Sequence, residues 1–131
     1  MRIIFADHHP QTDWAIQQLF DEEPEIDLVG LVADAQSLLM LAENQPADLI
    51  LLDRELPGLP IEEMIARLHA LEPSPIVVVM SKESEYSRKL LKAGADAFIS
   101  KVEQPDWLLD TLNKYARQFK IKEDMTQNKR I

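Results

Sequence analysis

A chain of 131 residues, 46% hydrophobic, can build one domain around one core and is too apolar to be disordered. It has no cysteine, which excludes disulfides and thiolate metal sites and fits a reducing compartment. The net charge of -9 argues against the domain itself gripping nucleic acid, and the basic residues near the end (Arg117, Lys120, Lys122, Lys129 and Arg130, mixed with Glu123 and Asp124) read as a solvated linker.

Short β-rich runs alternate with longer segments of helical period. Arg2 to Ala6 is the first strand, followed by a helix from about Gln11 to Glu22 carrying Trp14, Ala15, Leu19 and Phe20 at helical spacing. Ile26–Val32 is the second strand, and "DAQSLLMLAEN" is the second helix with Asp34 as its cap. Asp48–Asp53 is the third strand, apolar throughout its interior and therefore buried on both faces. "PIEEMIARLHAL" is the third helix, with Pro60 in its first turn. Pro75–Met80 is the fourth strand, "ESEYSRKLLKAG" a helix that Gly94 ends, "DAFIS" the fifth strand, and "PDWLLDTLNKYARQF" the last helix. Five βα units in a row imply one α/β domain over residues 1–119 with a five-stranded parallel sheet and helices on both faces, followed by a polar tail or the start of a linker at 120–131. No apolar run approaches the roughly 18 residues of a membrane span, and the first residues do not read as a signal peptide, so the expectation is a soluble cytoplasmic protein with no membrane partner.

In open α/β sheets, ligands bind beyond the carboxyl ends of the strands, where the strand order reverses. The strand ends here supply Asp7-His8, Asp53 followed by Arg54-Glu55-Leu56-Pro57-Gly58, Ser81-Lys82, and Ser100-Lys101. Two acids, a hydroxyl and an ammonium at one edge would suit a phosphoryl group on Asp53. The ammonium of Lys101 would offset its charge of about -1.5 to -2, Ser81 would donate to it, and Asp7 with Asp53 would offer hard oxygens to Mg2+. No strand end supplies a glycine-rich phosphate loop or a nucleophile elbow.

The stretches "RIIFADHHP", "PEIDLVGLVADAQSLL", "PADLILLDRELPG", "PIVVVMS" and "LLKAGADAFISK", in this order and spacing, resemble the receiver domain of two-component response regulators, closest to receivers that precede a helix-turn-helix output domain. The resemblance implies a doubly wound, flavodoxin-like receiver fold with five helices. It implies a signalling module, not an enzyme, in which Asp53 accepts a phosphoryl group from a sensor histidine kinase. Asp7, Asp53 and the backbone carbonyl of Glu55 would hold Mg2+, Ser81 would bond the phosphoryl oxygens, and Lys101 would be the paired cation. Phe98 stands where the family places an aromatic switch residue, with plain packing under the last helix as its other role. The implied partners are the kinase, an output domain or partner protein, and a second copy in a homodimer; Trp107 and Tyr86 are candidates for the contact face.

Two residues depart from the family pattern. The family usually has a second acid where this chain has His8, and a small residue where it has Lys82. Magnesium prefers oxygen to imidazole nitrogen, so the alternative function is a pseudo-receiver: an interaction module that is not phosphorylated because His8 and Lys82 disrupt the metal and acceptor site. For His8 itself, a site-lining substitution without metal is preferred to a zinc or manganese ligand, and His69 is read as a surface or boundary residue. A third alternative, a small phosphatase or hydrolase with Asp53 as nucleophile, finds no matching motif around position 55, which is Glu.

Overall fold

A computed structural model of the chain describes residues 1–8, 17–100 and 112–118. Its five strands are β1 (Arg2–Ala6), β2 (Asp27–Val32), β3 (Leu49–Asp53), β4 (Ile76–Ser81) and β5 (Ala97–Ser100). The helical segments are α1 (described over 17–21), α2 (Ala35–Asn44), α3 (Ile61–His69), α4 (Ser87–Lys92) and α5 (described over 112–118). All neighbouring strands pair in parallel, in the order β2-β1-β3-β4-β5. The anticipated flavodoxin-like, doubly wound sheet is therefore present. Lys101, Trp107, His9, Pro10 and the tail at 120–131 lie outside the described residues, as do parts of the first and last predicted helices.

The unbroken apolar runs follow from the two-sided burial of a parallel sheet. Side chains alternate across it. Ile4, Ile50, Leu52, Val77 and Val79 face α2, α3 and α4, where they meet Leu38, Met64, Ile65, Leu68 and Leu90. Ile3, Phe5, Leu49, Leu51 and Val78 face the other way and pack with Phe20 of α1 and Leu112 of α5. Burying each such side chain fully stabilises the fold by about 1.5–3 kcal/mol.

Local signals place the ends of the elements. Asp34 caps α2 as expected, accepting from the Ser37 backbone N–H at 2.7 Å. Gly58 (φ 117°) brings the β3–α3 loop so close to α2 that a Cβ would lie 2.9 Å from that of Ala35, while the Ala35 N–H donates to the Pro57 carbonyl at 2.9 Å. Gly94 (φ 111°) ends α4 as the sequence indicates. The start of that helix differs from the sequence expectation. Residues Ser84–Tyr86 form one 3-10 turn before α4 begins at Ser87. The Ser81 hydroxyl accepts from the Glu83 N–H at 3.0 Å, bending the chain into a local turn that competes with an earlier helix start.

Among the described residues, no helix is long and apolar enough to cross a membrane.

Candidate functional site

The strand order reverses at β1, so a crevice opens between the carboxyl ends of β1 and β3. Asp7 follows β1 and Asp53 ends β3; their side chains are 1% and 2% exposed. Asp7 is held by its backbone N–H donating to the Val32 carbonyl at 3.0 Å. One Asp53 oxygen, Oδ1, accepts from the backbone N–H of Glu55 at 3.1 Å. The other, Oδ2, lies 3.1 Å from Nδ1 of His8, whose side chain is 35% exposed. A carboxylate oxygen only accepts, so the shared proton sits on the imidazole. Asp7, His8 and Asp53 each bring one ligand atom to a cluster whose members lie within 4.8 Å of one another.

A candidate metal-binding cluster is therefore present, but its donors match Mg2+ poorly. Magnesium takes oxygen ligands at about 2.0–2.1 Å in a near-ideal octahedron. Here the position of the family's second acid is an imidazole, directed at the carboxylate that would be both acceptor and ligand. This corrects the expectation that a histidine kinase phosphorylates Asp53 in a Mg2+-dependent reaction. Of the two Asp53 oxygens, one is bonded to the backbone and the other to His8.

The next strand end is engaged as well. Ser81 is 2% exposed, and its hydroxyl accepts from Arg54 Nε at 3.1 Å in addition to the Glu83 N–H. Arg54 follows Asp53 directly, and its backbone N–H donates to the Met80 carbonyl at 2.8 Å, extending the β3–β4 ladder by one residue. Its guanidinium lies 4.0 Å from the centre of the Tyr86 ring and within 3.4 Å and 3.8 Å of the Glu55 and Glu83 carboxylates. A charged hydrogen bond of this kind contributes about 1.5–3 kcal/mol, and a cation over an aromatic face about 0.5–2 kcal/mol. Sequence reasoning gave Arg54 no role; the only signal was a cation between two acids, Asp53 and Glu55, at a strand end.

The remaining sequence candidates are dispersed. Lys82 is exposed and makes no hydrogen bond or ion pair among the described residues. Phe98 is half-buried against the α2–α3–α4 side of the core. Tyr86, expected on an exposed face, is half-buried beneath Arg54. His69 does more than sit at a boundary: its Nε2 lies 2.9 Å from Asp96 Oδ2, which also accepts from the Val77 N–H at 2.8 Å, pinning the end of α3 to the β4–β5 edge.

Comparison with known proteins returns the same architecture and a consistent family. Residues 3–113 match the response regulator receiver domain family. The nitrate/nitrite response regulator protein NarL of Escherichia coli (strain K12) is 34% identical over 116 residues, covering 87% of this chain and 54% of NarL. The Fimbriae Z protein of Salmonella typhimurium (strain LT2) is 29% identical over 101 residues, covering 76% of this chain and 48% of its own length. The chain thus spans about half the length of these curated relatives. The signal receiver domain of the putative response regulator NarL from Mycobacterium tuberculosis superposes with a TM-score of 0.79 at 22% identity, covering 88% of this chain and 95% of that domain.

Proposed function

This chain belongs to the family of response regulator receiver domains, signalling modules and not catalytic enzymes, and we propose that it acts within that family as a pseudo-receiver. In this reading it is a protein-interaction module whose surface is set without phosphorylation of Asp53. The observation that carries the proposal is the 3.1 Å approach of His8 Nδ1 to Asp53 Oδ2, which puts an imidazole where a metal and an incoming phosphoryl oxygen would need room. Lys82, which follows Ser81 in the chain, is the second departure from the family pattern and is exposed.

The interacting unit in this proposal is residues 1–119, with 120–131 as a polar tail or linker. Its partner is a protein surface, either an output domain of the kind the names and lengths of the curated relatives suggest, a separate partner protein, or a second copy of the chain. A histidine kinase enters only as a docking partner.

The test is intact-mass measurement after incubation with Mg2+ and acetyl phosphate. The expected result is no labile addition to the wild-type chain, with a spectrum matching that of Asp53→Asn under the same treatment. A labile addition to the wild type that Asp53→Asn abolishes would overturn the proposal.

A further inference from the structure

We infer that this chain associates with a second copy of itself head to tail, the α4 flank of one molecule docking on the α2 flank of the next. The inference rests on the reading of the chain as an interaction module and names its partner.

Among the described residues, two large apolar side chains are exposed: Met40 on α2, at 58%, and Leu91 on α4, at 46%. They sit on opposite flanks of one helical layer. α2, α3 and α4 cover the same face of the sheet, with α3 in the middle. α3 packs against α2, and Gly94 at the end of α4 lies against Ile65 and His69 of α3. Each helix leaves one parallel strand and returns to begin the next, so all three run against the strands. The last turn of α2, with Glu43, is therefore level with the last turn of α4, with Leu91 and Lys92.

The two flanks carry opposite charge. α4 holds Arg88, Lys89 and Lys92, all exposed, and no acid. Arg88 precedes Leu91 by three residues and Lys92 by four, so these side chains share one face. The charge on α2 is Glu43, three residues after Met40. Between the flanks, Arg67 already pairs with Glu63 at 2.8 Å within α3. Arg88, Lys89, Lys92, Glu43 and Glu72 make no ion pair among the described residues. Where α2 ends, a cavity of 40 Å³ opens, lined by Ala42, Pro46, Leu71 and Pro73 and by the exposed Glu43 and Glu72. One water needs roughly 10–15 Å³, so this is room for the branched end of one aliphatic side chain. Leu91 of the next molecule supplies that end, and its Arg88 and Lys92 meet Glu43 and Glu72.

The net charge of -9 opposes the approach of two copies at long range. At physiological ionic strength the Debye length of about 8 Å screens that repulsion and leaves pairs in contact attractive. Pairing α4 with α4 would set like charges against each other. The contact is therefore heterologous, and each molecule keeps a free flank for another.

The experiment is sedimentation velocity of the full chain over a concentration series at physiological ionic strength. The expected result is reversible association that continues past the dimer. Arg88→Glu/Lys92→Glu and Glu43→Lys/Glu72→Lys should each weaken it by at least about tenfold. Both variants should keep the wild-type melting temperature, since all four side chains are exposed. An equimolar mixture of the two should associate again, because their reversed flanks match. Leu91→Ser should weaken association by a smaller factor. A wild-type chain that stays monomeric or stops at a dimer, association that survives Glu43→Lys/Glu72→Lys, or a mixture no more associated than its components would overturn the inference. The acetyl phosphate test reads Asp53 and touches none of these residues, so failure of this contact and failure of the pseudo-receiver reading are read separately.

Discussion

Leu52 and Asp53 are consecutive residues of β3, and the physical demands on them are opposite. Leu49 to Leu52 are fully buried and surrounded by apolar side chains from both faces of the sheet. Their requirements are volume and alternation, which many sequences meet. Asp53 is almost as buried but carries a charge, so it needs specific partners, which among the described residues include the Glu55 N–H and His8. One strand over, the buried Ser81 hydroxyl is matched to Arg54. The interior asks for volume and alternation, while the rim asks for particular donors and acceptors at particular positions.

Breaking the interior should have the largest effect. Leu51→Ala removes a fully buried side chain from the α1–α5 side of the sheet and should cost about 2–5 kcal/mol, read as a lowered urea midpoint with an unchanged slope. A loss under about 1 kcal/mol would mean that this face repacks freely and that the interior is less demanding than argued.

The rim comes next. Arg54→Ala removes the charged donor to Ser81 and the cation over Tyr86, and should cost about 1.5–3 kcal/mol. A double-mutant cycle with Ser81→Ala isolates the bond itself. A coupling energy near zero would show that Arg54 acts through Tyr86 and the two glutamates alone. The surface pair between α3 and the sheet edge is smaller. His69→Ala should cost no more than about 1 kcal/mol, as exposed ion pairs do. Asp96→Ala should cost more, because it also leaves the Val77 N–H without its acceptor.

The interior was legible in the sequence because burial on both faces writes itself as continuous apolar strands, and helix ends as Asp34 and Gly94. All five strands and the strand-end position of Asp53 follow from such patterns. What stayed hidden depends on direction. Residue identity places His8 beside Asp7, but only coordinates turn its Nδ1 toward Asp53. Arg54 follows Asp53 in the chain, yet its guanidinium crosses to β4 and lies over Tyr86, 32 positions later, a contact without periodic signature. The helix expected from Glu83 starts late for the same kind of reason, since a hydroxyl at Ser81 captures the Glu83 N–H.

Asp34 is the surface counterpart of Asp53, a carboxylate satisfied by its own helix and not by another strand, and it should show the smallest effect. Its carboxyl lies below the usual aspartate range, chiefly because the backbone N–H of Ser37 donates to the ionised form, with the Ser37 hydroxyl adding a second bond. A folded-state value below the unfolded one makes the cap's contribution fully present above the unfolded value of about pH 4. That contribution is lost as pH falls through the lower folded value. The stability difference between wild type and Asp34→Ala should therefore be constant near neutrality and narrow steadily in acid, which thermal midpoints along a pH series would show. A difference that persists undiminished at the acid end would mean that Asp34 holds α2 by shape and not by charge, and would remove the contrast with the charged rim.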